Sequence, residues 1–212
     1  MKIFIKIIFA LFLVGCSSIK LNESWKNPAF IDFDPGNILI VGVTPDFEAR
    51  SNFEFQLVTE LNARNITAIQ STVVFEKLFQ DATQTEAEIE AQITKLLTVG
   101  YDTVLISTVK GVEENESRSG ASSKLDYNLQ RFLGNYFTSQ EEYFDQGNYK
   151  NYKVFCVETF LYSLKEDTRK SLVWSGNYDI VDPKNVSKTI NNYVKMVIKS
   201  LENEKLISKK NR

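Results

Sequence analysis

The sequence predicts an α/β sandwich of two or three layers. Its mixed sheet has about five strands, in the order β-α-β-α-β, followed by an antiparallel β-β hairpin and a C-terminal helix. Three observations predict it. Ile38-Leu39-Ile40-Val41-Gly42-Val43 and Thr103-Val104-Leu105-Ile106-Ser107-Thr108-Val109 are continuous apolar or β-branched runs, the mark of strands covered on both faces. Between them lie two segments with helical spacing. A Pro35-Gly36 turn opens the series, and its alternation of strand and helix is the pattern of parallel pairing with right-handed crossovers.

After the first strand, Thr44-Pro45-Asp46 is a helix-start signal and Ser51-x-x-Glu54 matches a capping box. Phe53, Leu57 and Leu61 recur every four residues with Val58 alongside, which defines one apolar face, and Asn65 is a left-handed stop. A short strand follows over 67–74. Thr85-x-x-Glu88 is a second capping box; it opens a helix with Ile89, Ile93, Leu96 and Leu97 on one side, ended by Gly100. Beyond the next strand come two more, over 152–164 and 171–181, joined by the short charged stretch 165–170, and so an antiparallel hairpin. Asp182-Pro183 then supplies an N-cap and a first-turn proline. Val186, Ile190, Tyr193, Val194, Val197, Ile198 and Leu201 continue as an amphipathic helix, and 204–212 reads as a flexible basic tail.

The domain organisation follows: residues 1–15 an export signal, 16–36 an N-terminus and tether, 37–203 one α/β domain carrying an aromatic-rich insertion over 113–151, and 204–212 the tail. The insertion is polar and punctuated by Tyr127, Phe132, Tyr136, Phe137, Tyr143, Phe144 and Tyr149. Aromatic rings join apolar area to polar tips, which suits a binding surface for a carbohydrate, a peptide or a partner. The structural alternative is a satellite core that folds back over the sheet edge. Its acids Glu113, Glu114 and Glu116 fit a hydrated loop better than a pair of catalytic carboxylates held in a cleft.

At the start of the chain, Lys2 and Lys6 precede an uncharged run, Ile7 to Val14. This is a signal-peptide pattern. The run is about half of the roughly 20 residues that a membrane-spanning helix needs. Leu13-Val14-Gly15-Cys16 resembles the lipobox of bacterial lipoproteins. That resemblance implies cleavage before Cys16, a diacylglyceryl thioether on its sulfur and acylation of the new amino terminus. Two or more acyl chains give stable anchoring where one gives only marginal binding. Ser17 stands where an aspartate would signal retention at the inner membrane, so the expected address is the outer membrane, facing the periplasm.

Composition excludes several classes. There is no histidine, which removes histidine triads, histidine general bases and most zinc sites. Loss of residues 1–15 takes away Lys2 and Lys6 and moves the formal charge from -2 to -4, so no basic field invites nucleic acid. Cys156, the cysteine besides Cys16, sits in an apolar run and reads as a buried thiol. No Gly-x-Gly-x-x-Gly or Walker pattern follows the first strand. Asp46, Glu48 and Arg50 do lie past its carboxyl end, where open α/β sheets bind ligands. They are a candidate polar site, set against helix capping plus a solvated ion pair. No metal or cofactor is expected.

The pattern over 37–203, with the phrases Ile-Leu-Ile-Val-Gly-Val-Thr-Pro-Asp and Gly-Tyr-Asp-Thr-Val-Leu, resembles a broad group of envelope lipoproteins and periplasmic domains. The curli-secretion lipoprotein, the amino-terminal domain of the Tol translocation protein and the lipoprotein activators of penicillin-binding proteins belong to it. The resemblance implies a non-enzymatic lipoprotein that meets the bilayer through acylated Cys16 and binds or scaffolds an envelope protein or glycan. The alternatives are a subunit of an export or pore assembly and a carboxylate-dependent hydrolase.

Overall fold

A computed structural model describes residues 19–75, 83–112, 136, 154–165, 172–181 and 183–210. The signal segment, Cys16, the charged 166–171 connection, Asp182 and the insertion other than Tyr136 lie outside the described residues.

The elements run β1 (Ile19–Lys26), β2 (Asn37–Val43), α1 (Phe47–Asn62), β3 (Ala68–Gln70), α2 (Ser71–Val74), α3 (Glu86–Thr98), β4 (Tyr101–Val112), β5 (Val154–Ser163), β6 (Leu172–Val181) and α4 (Val186–Asn203). The strands form one mixed sheet, ordered β1-β6-β5-β4-β2-β3. β2 pairs in parallel with β3 and β4, while β4-β5, β5-β6 and β1-β6 are antiparallel. The α/β sandwich expected from the sequence is therefore present, and it has three layers.

Strand alternation splits the core in two. On one face Ile38, Ile40, Leu105, Val157, Leu161, Tyr178 and Ile180 pack against Phe53, Leu57 and Leu61 of α1 and against Ile190, Tyr193, Val194, Val197 and Leu201 of α4. On the other face Leu39, Val41, Val104, Ile106, Phe160 and Tyr162 meet Ile89 and Leu96 of α3, together with Phe75 and Tyr136. Leu97, assigned to the inner side of α3 from its spacing, is exposed. Among the described residues no helix is long and apolar enough to cross a membrane.

Four sequence expectations need correction. Part of the proposed tether is β1, the sixth strand: Ile19 pairs with Ile180 and Trp25 with Ser175, and Ile19 is buried in the core. Only Ile19 and Leu21 alternate inward before a bulge and a polar run, too short a period to announce an edge strand. Secondly, the 67–74 run is strand only over Ala68–Gln70, then turns at once into α2. Thirdly, the tail does not begin at 204. Leu206 and Ile207 are buried, because Lys205 takes a left-handed φ of 57° and the Leu206 N–H bonds the Leu201 carbonyl at 2.9 Å. Asn65, with φ 61°, ends α1 in the same way, as expected. Finally, α4 is capped not by Asp182 but by Asn185, whose side-chain oxygen accepts the Lys188 N–H at 2.8 Å.

Candidate functional site

Of the two capping boxes that the sequence predicts, one forms. Thr85 and Glu88 cap each other's backbone at the start of α3 as expected. Ser51-x-x-Glu54 is not a cap: α1 starts at Phe47, and Asp46 is its N-cap, accepting the Ala49 N–H at 3.0 Å. Glu54 lies inside the helix and is 0% exposed. One carboxylate oxygen accepts the Gly42 N–H at 2.9 Å and the Ser71 hydroxyl at 2.6 Å, and the other accepts the Thr72 N–H at 3.3 Å. Burial raises its pKa above the ordinary carboxylate value, against the opposing pull of those hydrogen bonds and of Arg50. Glu54 thus stitches α1 to the end of β2 and to the start of α2. The lack of a side chain at Gly42 makes room for α1 itself, since a Cβ there would stand 3.0 Å from Arg50 Cγ and 3.3 Å from the Phe53 ring.

Beside the stitch, between the first turns of α1 and α4 and over the carboxyl ends of β2 and β4, lies a pocket of about 220 Å³. At this point the chain leaves β2 toward β3 and leaves β4 toward β5, so the connections diverge, the arrangement that leaves a crevice in open α/β sheets. Phe53, Val109, Phe155, Val157, Ile180 and Ile190 form apolar walls. Ser107 and Tyr193 face it from the sheet and from α4, and Thr44, Asp46, Arg50 and Thr189 complete the lining.

The polar groups of the floor are closed on one another. The Tyr193 hydroxyl donates to Ser107 Oγ at 3.1 Å, Ser107 and Thr159 share a bond of 3.1 Å, and Thr159 and Tyr193 complete the ring. Burial pushes the Tyr193 pKa up to about 12. Its contribution to stability is thus complete below the ordinary phenol value of about 10 and is lost as pH rises through the folded-state value. Tyr193→Phe should lower stability by about 1 kcal/mol at neutral pH. It should also weaken the decline in unfolding free energy between pH 10 and 12, measured by urea titration; an unchanged alkaline decline would refute the role of this hydroxyl.

Of the three residues of the candidate polar site, two are brought to the pocket. Asp46 caps α1, and Arg50, only 8% exposed, lies 5.3 Å over the Phe47 ring. Glu48 is exposed in the first turn and does not line the pocket. Of the aromatic candidates, Tyr136 is buried in the second core cluster, with Leu39, Val41, Val104 and Ile106 of the central strands. Tyr127, Phe132, Phe137, Tyr143, Phe144 and Tyr149 lie outside the described residues, as do Glu113, Glu114 and Glu116. Cys156 is half-buried and donates to Asn177 Oδ1 at 2.9 Å, so it is less enclosed than its apolar neighbours suggested.

The pocket walls were missed in the sequence because they come from five separate elements, each with ordinary core spacing. The site they make is an apolar crevice at a sheet switch point, with hydroxyls satisfied beneath it. No family model matches the chain, and none of the curated proteins matches it. Similar solved structures include the PelC dodecamer from Paraburkholderia phytofirmans, at 12% identity and a TM-score of 0.45, covering 86% of this chain and 96% of that one. The lipoprotein GNA1162 from Neisseria meningitidis is 16% identical, with a TM-score of 0.40, covering 80% of this chain and 99% of that one. With TM-scores below 0.5, neither likeness carries an argument about this chain.

Proposed function

We propose that the chain is a lipoprotein of the bacterial cell envelope, anchored through acylated Cys16 at the outer membrane and facing the periplasm, and that it is a binding protein without catalytic activity. The observation that carries the reading is the Leu13-Val14-Gly15-Cys16 stretch behind an apolar run, and the start of β1 gives the end of the domain that such an anchor reaches. Ile19 stands three residues beyond Cys16, and three residues span at most about 11 Å. Ile19 is paired with Ile180, which is itself a wall of the pocket. An anchor on Cys16 therefore brings the pocket end of the sheet to the membrane surface.

The chemistry of the pocket supports binding over turnover. Its walls are mostly apolar, the hydroxyls of its floor are engaged with one another, and the Tyr193 phenol is a poor acid at neutral pH. The partner is an envelope component, a protein or a glycan, met beside the bilayer.

Labelling with radioactive palmitate, followed by fractionation, tests the anchor. Wild-type protein is expected to carry label and to remain in the membrane pellet after a high-salt wash, whereas Cys16→Ser carries none. Unlabelled wild-type protein in the soluble fraction would overturn the proposal.

A further inference from the structure

Exposed large apolar side chains occur at several places among the described residues, Trp25, Ile31, Phe55, Val73, Leu97 and Val99 included, and three more stand together beside the pocket. Phe47 at the start of α1, Val181 at the end of β6 and Val186 at the start of α4 are 64%, 48% and 50% exposed. β2, β4 and β6 run in one direction, so all three residues stand at the end of the sheet where the pocket opens. β1 begins at that same end: Ile19 pairs with Ile180, and Ile180 with Phe155. One end of the molecule thus combines the point nearest Cys16, an apolar fringe and an apolar crevice. Exposed apolar groups gathered at one site mark contact with a membrane, a partner or a ligand.

The pocket limits what that ligand is. Its volume of about 220 Å³ is below the ~300–1,000 Å³ of clefts that hold a drug-sized molecule. A slender aliphatic group fits such a space. A sugar buried whole suits it less well: Thr44, Asp46, Arg50 and Thr189 make part of the lining polar, but the walls from Phe53, Val109, Phe155, Val157, Ile180 and Ile190 offer no hydrogen bonds from their side chains, and unsatisfied hydroxyls are costly to bury. Ser107 and Tyr193 bond each other and Thr159, so the floor accepts an apolar tip without losing a polar contact.

We infer that the pocket takes the end of one straight acyl chain, supplied from the lipid phase on which the domain sits. The inference rests on the anchored reading above and adds the chemical class of the ligand. Two sources share that chemistry, a phospholipid of the bilayer and a free fatty acid.

The test uses the full acylated protein in phosphatidylethanolamine–phosphatidylglycerol vesicles. One sample is doped with a phospholipid carrying a diazirine at the end of one acyl chain, the other with a fatty acid bearing the same group. After irradiation, peptides spanning Val154–Ser163 and Val186–Asn203 are expected to carry the label. Thr189→Trp, at a half-buried position of the lining, should reduce that labelling by about tenfold while leaving the unfolding midpoint in place. Ile190→Trp, deeper in the wall, provides a second block. Label from the phospholipid probe names a bilayer lipid; label from the fatty-acid probe alone names a free acid. Absence of label on these peptides with both probes, or label that neither substitution reduces, overturns the inference. Flotation of the vesicles reports separately on the anchor: protein that fails to float refutes the anchored reading whichever peptides the fatty acid labels.

Discussion

Glu54→Ala is expected to destabilise the fold by about 3–5 kcal/mol, because it leaves two buried donors, at roughly 1–3 kcal/mol each, and one part-buried donor without their acceptor, offset in part by relief of a buried carboxylate. Those donors are the Gly42 N–H, the Ser71 hydroxyl and the Thr72 N–H. The loss is a large fraction of the ~5–15 kcal/mol by which a folded domain is stable. The pH dependence provides an independent check. Burial raises the pKa of Glu54 in the folded protein, so the folded state holds this proton more tightly than the unfolded chain does. Its pH-dependent contribution is therefore complete below the ordinary carboxylate range and declines as pH climbs through the raised value. Glu54→Gln should flatten that part of the profile, at some cost because its amide nitrogen cannot accept the Thr72 N–H. Urea titrations at a series of pH values measure both effects. An alanine variant with the wild-type midpoint would show that the stitch carries no energy.

A chain beginning at Asn27 is expected to lose about 3–5 kcal/mol relative to one beginning at Ile19. Burial of Ile19 accounts for roughly 1.5–3 kcal/mol of this. The remainder comes from the ladder that joins β1 to β6, at about 0.5–1.5 kcal/mol per hydrogen bond before the entropy of ordering the strand is subtracted. Removing β1 also leaves β6 as an open edge, which invites pairing with a second molecule. Urea midpoints and sedimentation velocity read the two consequences. A shortened chain that stays monomeric at unchanged stability would mean that β1 merely rests against the sheet.

Most of the framework was legible in the sequence because it follows from local patterns. The continuous runs of β2 and β4, the four-residue spacing of Phe53, Leu57 and Leu61, the capping box at Thr85 and the left-handed stop at Asn65 each follow from the chemistry of a few neighbouring residues. What was not legible depends on partners distant in the chain. Glu54 mimics a capping-box acid three residues after a serine, and only the approach of Gly42 and Ser71 turns it into a buried acceptor. Ile19 and Leu21 are two apolar residues in a polar stretch, and β6 alone makes them part of a strand. Leu206 carries no sign of its burial, because a lysine in a left-handed turn gives none of the signal that a glycine would.

The antiparallel pairing of β1 with β6 has a mechanical consequence. A tug on an anchored amino terminus, directed along the strand from Ile19, runs parallel to the axis of β1 and across its ladder bonds, which lie perpendicular to the strands. Those bonds share the load together, in shear, where a pull at right angles would open them one after another. The way the leash enters the domain makes the first strand a grip that tension engages all at once.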